Sequence, residues 1–267
     1  MSKEVIINLI AILSLIPITV FGFRKSTNWN QLYWPLLTVA VFGSLTTLVI
    51  KLSGTWYTDL STSVWATIAA TMLLFLLTVA LMREASRLVS LISGYMIILG
   101  ILASLLDTSS DKILMPITNF SLWISLHILM SITTYGLLTI AAVSAFSAAV
   151  QEYLLKAKIQ NPLYQLLPSI TDCDKLSVKL LIICEAILGV GLISGMGLGY
   201  IKYHDPFPFN HKTILTITAF IVIAILLIAH FRIGIRGRRA ARYVLCAYLL
   251  MTLGYPGVKF VSDVILK

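Results

Sequence analysis

The stretch LWISLHILMSITTYGLLTIAAVSAFSAAV, residues 122–150, runs without one charged side chain. About 20 apolar residues rising 1.5 Å each cross a hydrocarbon core about 30 Å thick, so this stretch reads as a membrane-spanning helix. Seven further runs of spanning length accompany it, at 5–23, 32–50, 63–82, 88–106, 178–201, 213–231 and 243–265. Barrel strands would be about half as long and would alternate in polarity. The expected fold is therefore all-α: a polytopic membrane helix bundle of about eight transmembrane helices. The chain divides into an N-terminal part, 1–121, holding helices 1–4, and a C-terminal part, 122–267, holding helices 5–8.

Composition agrees with lipid as the solvent, since 58% of the residues are hydrophobic, 12% are charged and the mean hydropathy is +0.94, against about 25% charged in an ordinary soluble domain. The net charge of +9 does not point to nucleic acid, because the basic residues lie in short gaps between apolar runs, where no solvated basic face forms. Their distribution orients the chain. The first, third, fifth and seventh connections hold thirteen Lys and Arg, the other three hold four, and positive residues stay on the cytoplasmic side. Both termini are expected outside, in a bacterial cytoplasmic (inner) membrane. The first run ends at Arg24 and Lys25 and is too long for a signal-peptide core, so it reads as a retained helix. Cys173, Cys184 and Cys246 are odd in number and far apart, which suggests isolated thiols, and no C-x-x-C-H is present for covalent haem.

On this topology Trp56, Asp107, Asp111, His204 and His211 fall outside, and the fifth connection, Gln151 to Ser177, falls inside. That connection contains Asn161-Pro162 and Asp172-Cys173-Asp174 and reads as a cytoplasmic loop. A histidine inside a membrane helix is costly without a partner, which singles out His127. Trp123, His127, Ser131, Thr134 and Tyr135 share its helix face. The stripe serves either helix packing through interhelical hydrogen bonds or a site. The sixth connection, Tyr200 to Lys212, brings His204 and His211 among four aromatic rings to the same side. Imidazole ligates haem iron and lysine neutralises propionates, so His127, His211 and Lys212 (with Lys202) have the makings of a peripheral haem site. An interfacial aromatic belt with solvated histidines has the same composition.

Glu185 is the one acidic residue well inside an apolar run, and either a functional carboxyl or an ion pair with Lys175 or Lys179 at the cytoplasmic boundary accounts for it. His230, beside Arg232, reads as an interfacial imidazole or a second, inner ligand. Gly191, Gly195 and Gly199 form small-x-x-x-small steps for close helix approach. No G-x-S-x-G, G-x-x-x-x-G-K-[ST] or H-E-x-x-H occurs, so no enzyme is expected.

Leu126-His127-Ile128-Leu129-Met130-Ser131 with Thr134-Tyr135-Gly136-Leu137-Leu138, the glycine step Gly191-Leu192-Ile193-Ser194-Gly195, Asn210-His211-Lys212-Thr213, the basic Arg236-Gly237-Arg238-Arg239-Ala240 and the closing Gly254-Tyr255-Pro256-Gly257-Val258-Lys259 together resemble the cytochrome c assembly protein family. The resemblance runs from Leu126 to Ile265; the first four helices match in hydropathy alone. It implies a membrane factor that handles haem during c-type cytochrome maturation, with His127 as an external haem ligand, and partners among other cytochrome c assembly or tetrapyrrole-pathway proteins. Two departures stand out: the loop from Tyr200 to Lys212 has no tryptophan, and Ser262 and Asp263 lie where a second external histidine is expected. The competing readings are a membrane scaffold or regulator of tetrapyrrole synthesis or another complex, without haem, and a small-solute permease built around Glu185 but lacking an inverted repeat.

Overall fold

The computed structural model describes residues 3–23, 29–53, 60–106, 122–158, 166–203 and 211–261. Trp56, Asp107, Asp111, Asn161-Pro162, His204, Ser262 and Asp263, and the side chain of Lys202, lie outside the described residues. Among those described there is no strand, and the chain is a bundle of apolar helices.

The chain forms two compact units. In the first, α1 (Lys3–Phe23), α2 (Trp29–Leu52), α3 (Leu60–Leu81) and α4 (Val89–Leu105) follow one another, with a 3₁₀ turn, Arg83–Leu88, between the last two. Each of α1 to α3, and α4 together with the 3₁₀ turn, is long and apolar enough to span. In lipid, helices associate through packing and interhelical hydrogen bonds rather than through apolar burial, and that pattern is present. Leu15, Ile18, Trp65, Ile68, Met72, Phe75, Ile92 and Met96 close the core, while Thr19 Oγ1 of α1 donates to Ser93 Oγ of α4 at 2.8 Å.

The second unit contains α5 (Leu122–Lys156), α6 (Ile170–Tyr203), α7 (His211–Ile233), α8 (Arg238–Thr252), a π-helical turn Leu253–Gly257 and the short α9, Val258–Phe260. Helix α5 packs antiparallel on α6 and also against α8; α7 packs on α6 and α8. At 35 and 34 residues, α5 and α6 are each about 50 Å long, well beyond the hydrocarbon thickness. The expected cytoplasmic loop is accordingly shorter than 151–177. Asp172-Cys173-Asp174 lies in the first turns of α6, where Ser169 Oγ accepts from the Asp172 N–H at 3.2 Å and caps the helix. Buried Gln151 and Leu154 carry α5 past position 150.

The eighth run also differs from its expectation. A single helix over 243–265 is replaced by α8, which starts five residues earlier, at Arg238, and gives way to a π turn at Leu253. Pro256 lies in that turn; without an N–H it cannot continue the regular ladder, and the wider turn absorbs the mismatch. Seven helical segments meet the length of a span, α4 together with the 3₁₀ turn before it, and α8 with its π turn and α9 supplies the eighth segment.

Candidate functional site

The antiparallel packing of α5 on α6 sets the first turns of α5 against the last turns of α6. Trp123 Nε1 donates to the Ser194 carbonyl at 3.2 Å, and one turn deeper the His127 ring hydrogen-bonds to the Gly191 backbone. The ring turns its Cε1 edge to Gly195: a Cβ there would stand 3.1 Å from His127 Cε1, closer than ordinary contact, so glycine is what lets the imidazole between the helices. The small-residue step read in the sequence as helix packing is thus also the seat of His127. Its Nδ1 is buried and has no hydrogen-bond partner.

The rest of the stripe points inward as its spacing predicts. Ser131 Oγ donates to the His127 carbonyl at 2.9 Å, Thr134 is buried, and the Tyr135 hydroxyl meets Tyr248 Oη at 3.2 Å and Thr252 Oγ1 at 3.3 Å on α8. Tyr255, in the π turn, brings its ring to 6.1 Å from that of Tyr135. A polar, aromatic path therefore descends from Trp123 toward the middle of the unit.

His211 and Lys212 form the first turn of α7 and are exposed. They lie at the same end of the unit as His127, beside the π turn, since a Cβ on Gly254 would approach Leu215 Cβ at 3.3 Å and the Lys212 carbonyl at 3.9 Å. His127 and His211 make no ring contact or hydrogen bond with each other. Haem is fitted by part of this set. An imidazole oriented by a backbone carbonyl, with one ring nitrogen unpartnered, has the donor arrangement of an iron ligand, and an exposed lysine at the rim suits a propionate.

His230 sits at the opposite end. Its Nδ1 donates to the Ile235 carbonyl at 2.9 Å, bracing the turn that follows α7, where Gly234 takes φ +74° and ends the helix. His230 and Asp174 line a cavity of about 10 Å³, room for about one water.

Glu185 lies about four turns from the start of α6, which begins at Ile170 rather than at 178. Both its carboxyl oxygens are buried without a partner, so the ion pair with Lys175 or Lys179 does not form. A carboxylate in that position is costly. Glu185→Gln, which cannot ionise, is expected to keep or raise the thermal midpoint in detergent, and Glu185→Lys to lower it. A fall for Gln equal to that for Lys would mean that the carboxylate has a partner after all.

The second-unit geometry is joined by sequence likeness across most of the chain. Residues 29–266 match the cytochrome c assembly protein family. The chain belongs to that family. The match reaches back to α2, well before the Leu126 motif, so the resemblance of the first half goes beyond hydropathy. The chain is also 40% identical, over the full length of both proteins, to an uncharacterised 28.8 kDa protein in the nifR3-like 5′ region of Azospirillum brasilense. It is 29% identical over 52% of each chain to the inner membrane protein YpjD of Escherichia coli K12. No solved structure matches. Family, relatives and spans together make it a multi-pass protein of the bacterial inner membrane.

Proposed function

We propose that this chain is a non-catalytic haem-handling factor of c-type cytochrome assembly, holding haem at the outer end of its second unit. The observation that carries this reading is His127: an intramembrane imidazole let in by Gly195, oriented by the Gly191 backbone, with Nδ1 unpartnered. Bound haem would supply an iron centre for axial ligation. His127 is the ligand supplied within the bundle, His211 the one offered from the rim, and Lys212 the cation for a propionate. The orientation follows from the thirteen-to-four division of basic residues, which makes the His127 end the outer one. Expected partners are the lipid bilayer, haem and other proteins of cytochrome c assembly or tetrapyrrole synthesis.

The absence of tryptophan between Tyr200 and Lys212 favours a second reading, a scaffold or regulator that binds no haem and recruits partners through its basic inner surface. Deleting the gene and staining membranes for covalent haem tests the role. Loss of c-type cytochromes, restored by the wild-type chain but not by His127→Ala, is the expected result. Undiminished c-type cytochromes in the deletion strain would remove the proposed function, and restoration by His127→Ala would favour the scaffold.

A further inference from the structure

Five of the chain's eight arginines, Arg232, Arg236, Arg238, Arg239 and Arg242, fall within eleven positions where α7 turns into α8, and no lysine is among them. All five side chains are exposed. Two carboxylates lie beside them, yet neither pairs with a guanidinium. Asp174 accepts the Gly237 N–H, at 3.4 Å on Oδ1 and 3.3 Å on Oδ2. Glu152 accepts the Arg238 N–H at 2.7 Å on Oε2, and its Oε1 pairs with Lys156 at 2.5 Å. The protein's own acids are thus engaged by two N–H groups at the start of α8, and among the described residues no side chain forms an ion pair or hydrogen bond with the five guanidinium groups. Arg236 and Arg238 feel Asp174 and Glu152 at longer range only.

The cluster is also fixed in depth. Phe231 and Ile233, on either side of Arg232, are 67% and 76% exposed, and Tyr243 and Leu249 follow Arg242 on α8 at 45% and 58%. Exposed apolar side chains of that size face acyl chains, so the guanidinium groups stand at the level of lipid phosphates rather than out in the aqueous phase. Retaining this end in the cytoplasm needs positive charge of either kind. Five guanidinium groups, with no lysine in the same stretch of chain, instead match bidentate recognition of phosphate oxygens, and Arg242 lies one helical turn on from both Arg238 and Arg239.

We propose that the α7–α8 turn is a binding site for an anionic phospholipid headgroup, its phosphate held by Arg236, Arg238, Arg239 and Arg242. This inference is independent of the haem reading. The test uses the full chain in nanodiscs of equal phosphatidylglycerol and phosphatidylcholine, ejected and weighed by native mass spectrometry. Wild-type protein is expected to retain phosphatidylglycerol at least tenfold over phosphatidylcholine. The R236Q/R238Q/R239Q variant is expected to lose that preference, at about fivefold per basic side chain near an anionic surface. Equal retention of the two lipids by the wild type overturns the proposal, and so does a preference the substitutions leave unchanged. Displacement of the lipid by millimolar inorganic phosphate also overturns it, revealing an anion site with no tie to the headgroup. Should the variant fail to insert, the wild-type preference decides alone.

Discussion

Gly237→Ala is expected to be among the most damaging single substitutions in the chain, lowering stability by about 1–3 kcal/mol from backbone strain alone. Gly237 takes φ +63° and ψ −137°, a region open to glycine and closed to residues with a Cβ. The added carbon would also stand 2.6 Å from Glu152 Oε2, the atom that accepts the Arg238 N–H. One methyl group therefore strains the turn and expels the carboxylate that caps α8 and ties it to α5. The thermal midpoint in detergent, followed by tryptophan fluorescence, should fall well below that of the wild type. Gly234→Ala is the informative comparison: Gly234 also has positive φ, at +74°, but nothing lies within 4 Å of a Cβ there. It should show the strain without the loss of the cap, and so the smaller fall. Equal midpoints for wild type and Gly237→Ala would contradict this description of the turn.

Gly195→Leu is the second large effect, and it joins packing to function. With Cε1 already 3.1 Å from where a Cβ would stand, a leucine cannot share the space with the His127 ring. Overpacking of this kind costs about 1–3 kcal/mol, and the imidazole must leave its seat on α6. Gly195→Leu is therefore expected to abolish haem retention as completely as His127→Ala, although it removes no ligand. Gly195→Ala should give an intermediate loss. Haem content per protein, taken from the pyridine haemochrome, distinguishes these outcomes. Full haem retention in Gly195→Leu would show that the seat is not required.

Most of the bundle was legible because lipid imposes a length: every run of about 20 apolar residues marks a helix whatever it packs against. The inner ends were not. Apolar counting stops at 150 and resumes at 178, while α5 and α6 continue through Gln151, Leu154 and Cys173, buried against neighbours that hydropathy cannot register. Counted from 178, Glu185 stood two turns from the end of its run, whereas it lies about four turns into α6. The interruption of the last helix had a visible cause in Pro256, but its form, a π turn that carries Tyr255 beside Tyr135, was not legible.

At the site, His127 stood out because an imidazole in an apolar run is rare, and its face followed from helical spacing. That Gly195 and Gly191 receive the ring was not legible, because the pairing joins positions more than sixty residues apart and the glycine step alone signals only close approach. The caps on α8 were hidden for the same reason. Glu152 and Asp174 reach Arg238 and Gly237 across 86 and 63 positions, and no local motif announces them.

The most direct test of the haem reading is the visible spectrum and pyridine haemochrome of detergent-purified protein from a haem-replete host. A Soret band present in the wild type, lost in His127→Ala and weakened or lost in His211→Ala is the predicted result. Well-folded wild-type protein that is colourless, and stays colourless when haem is added, would contradict it.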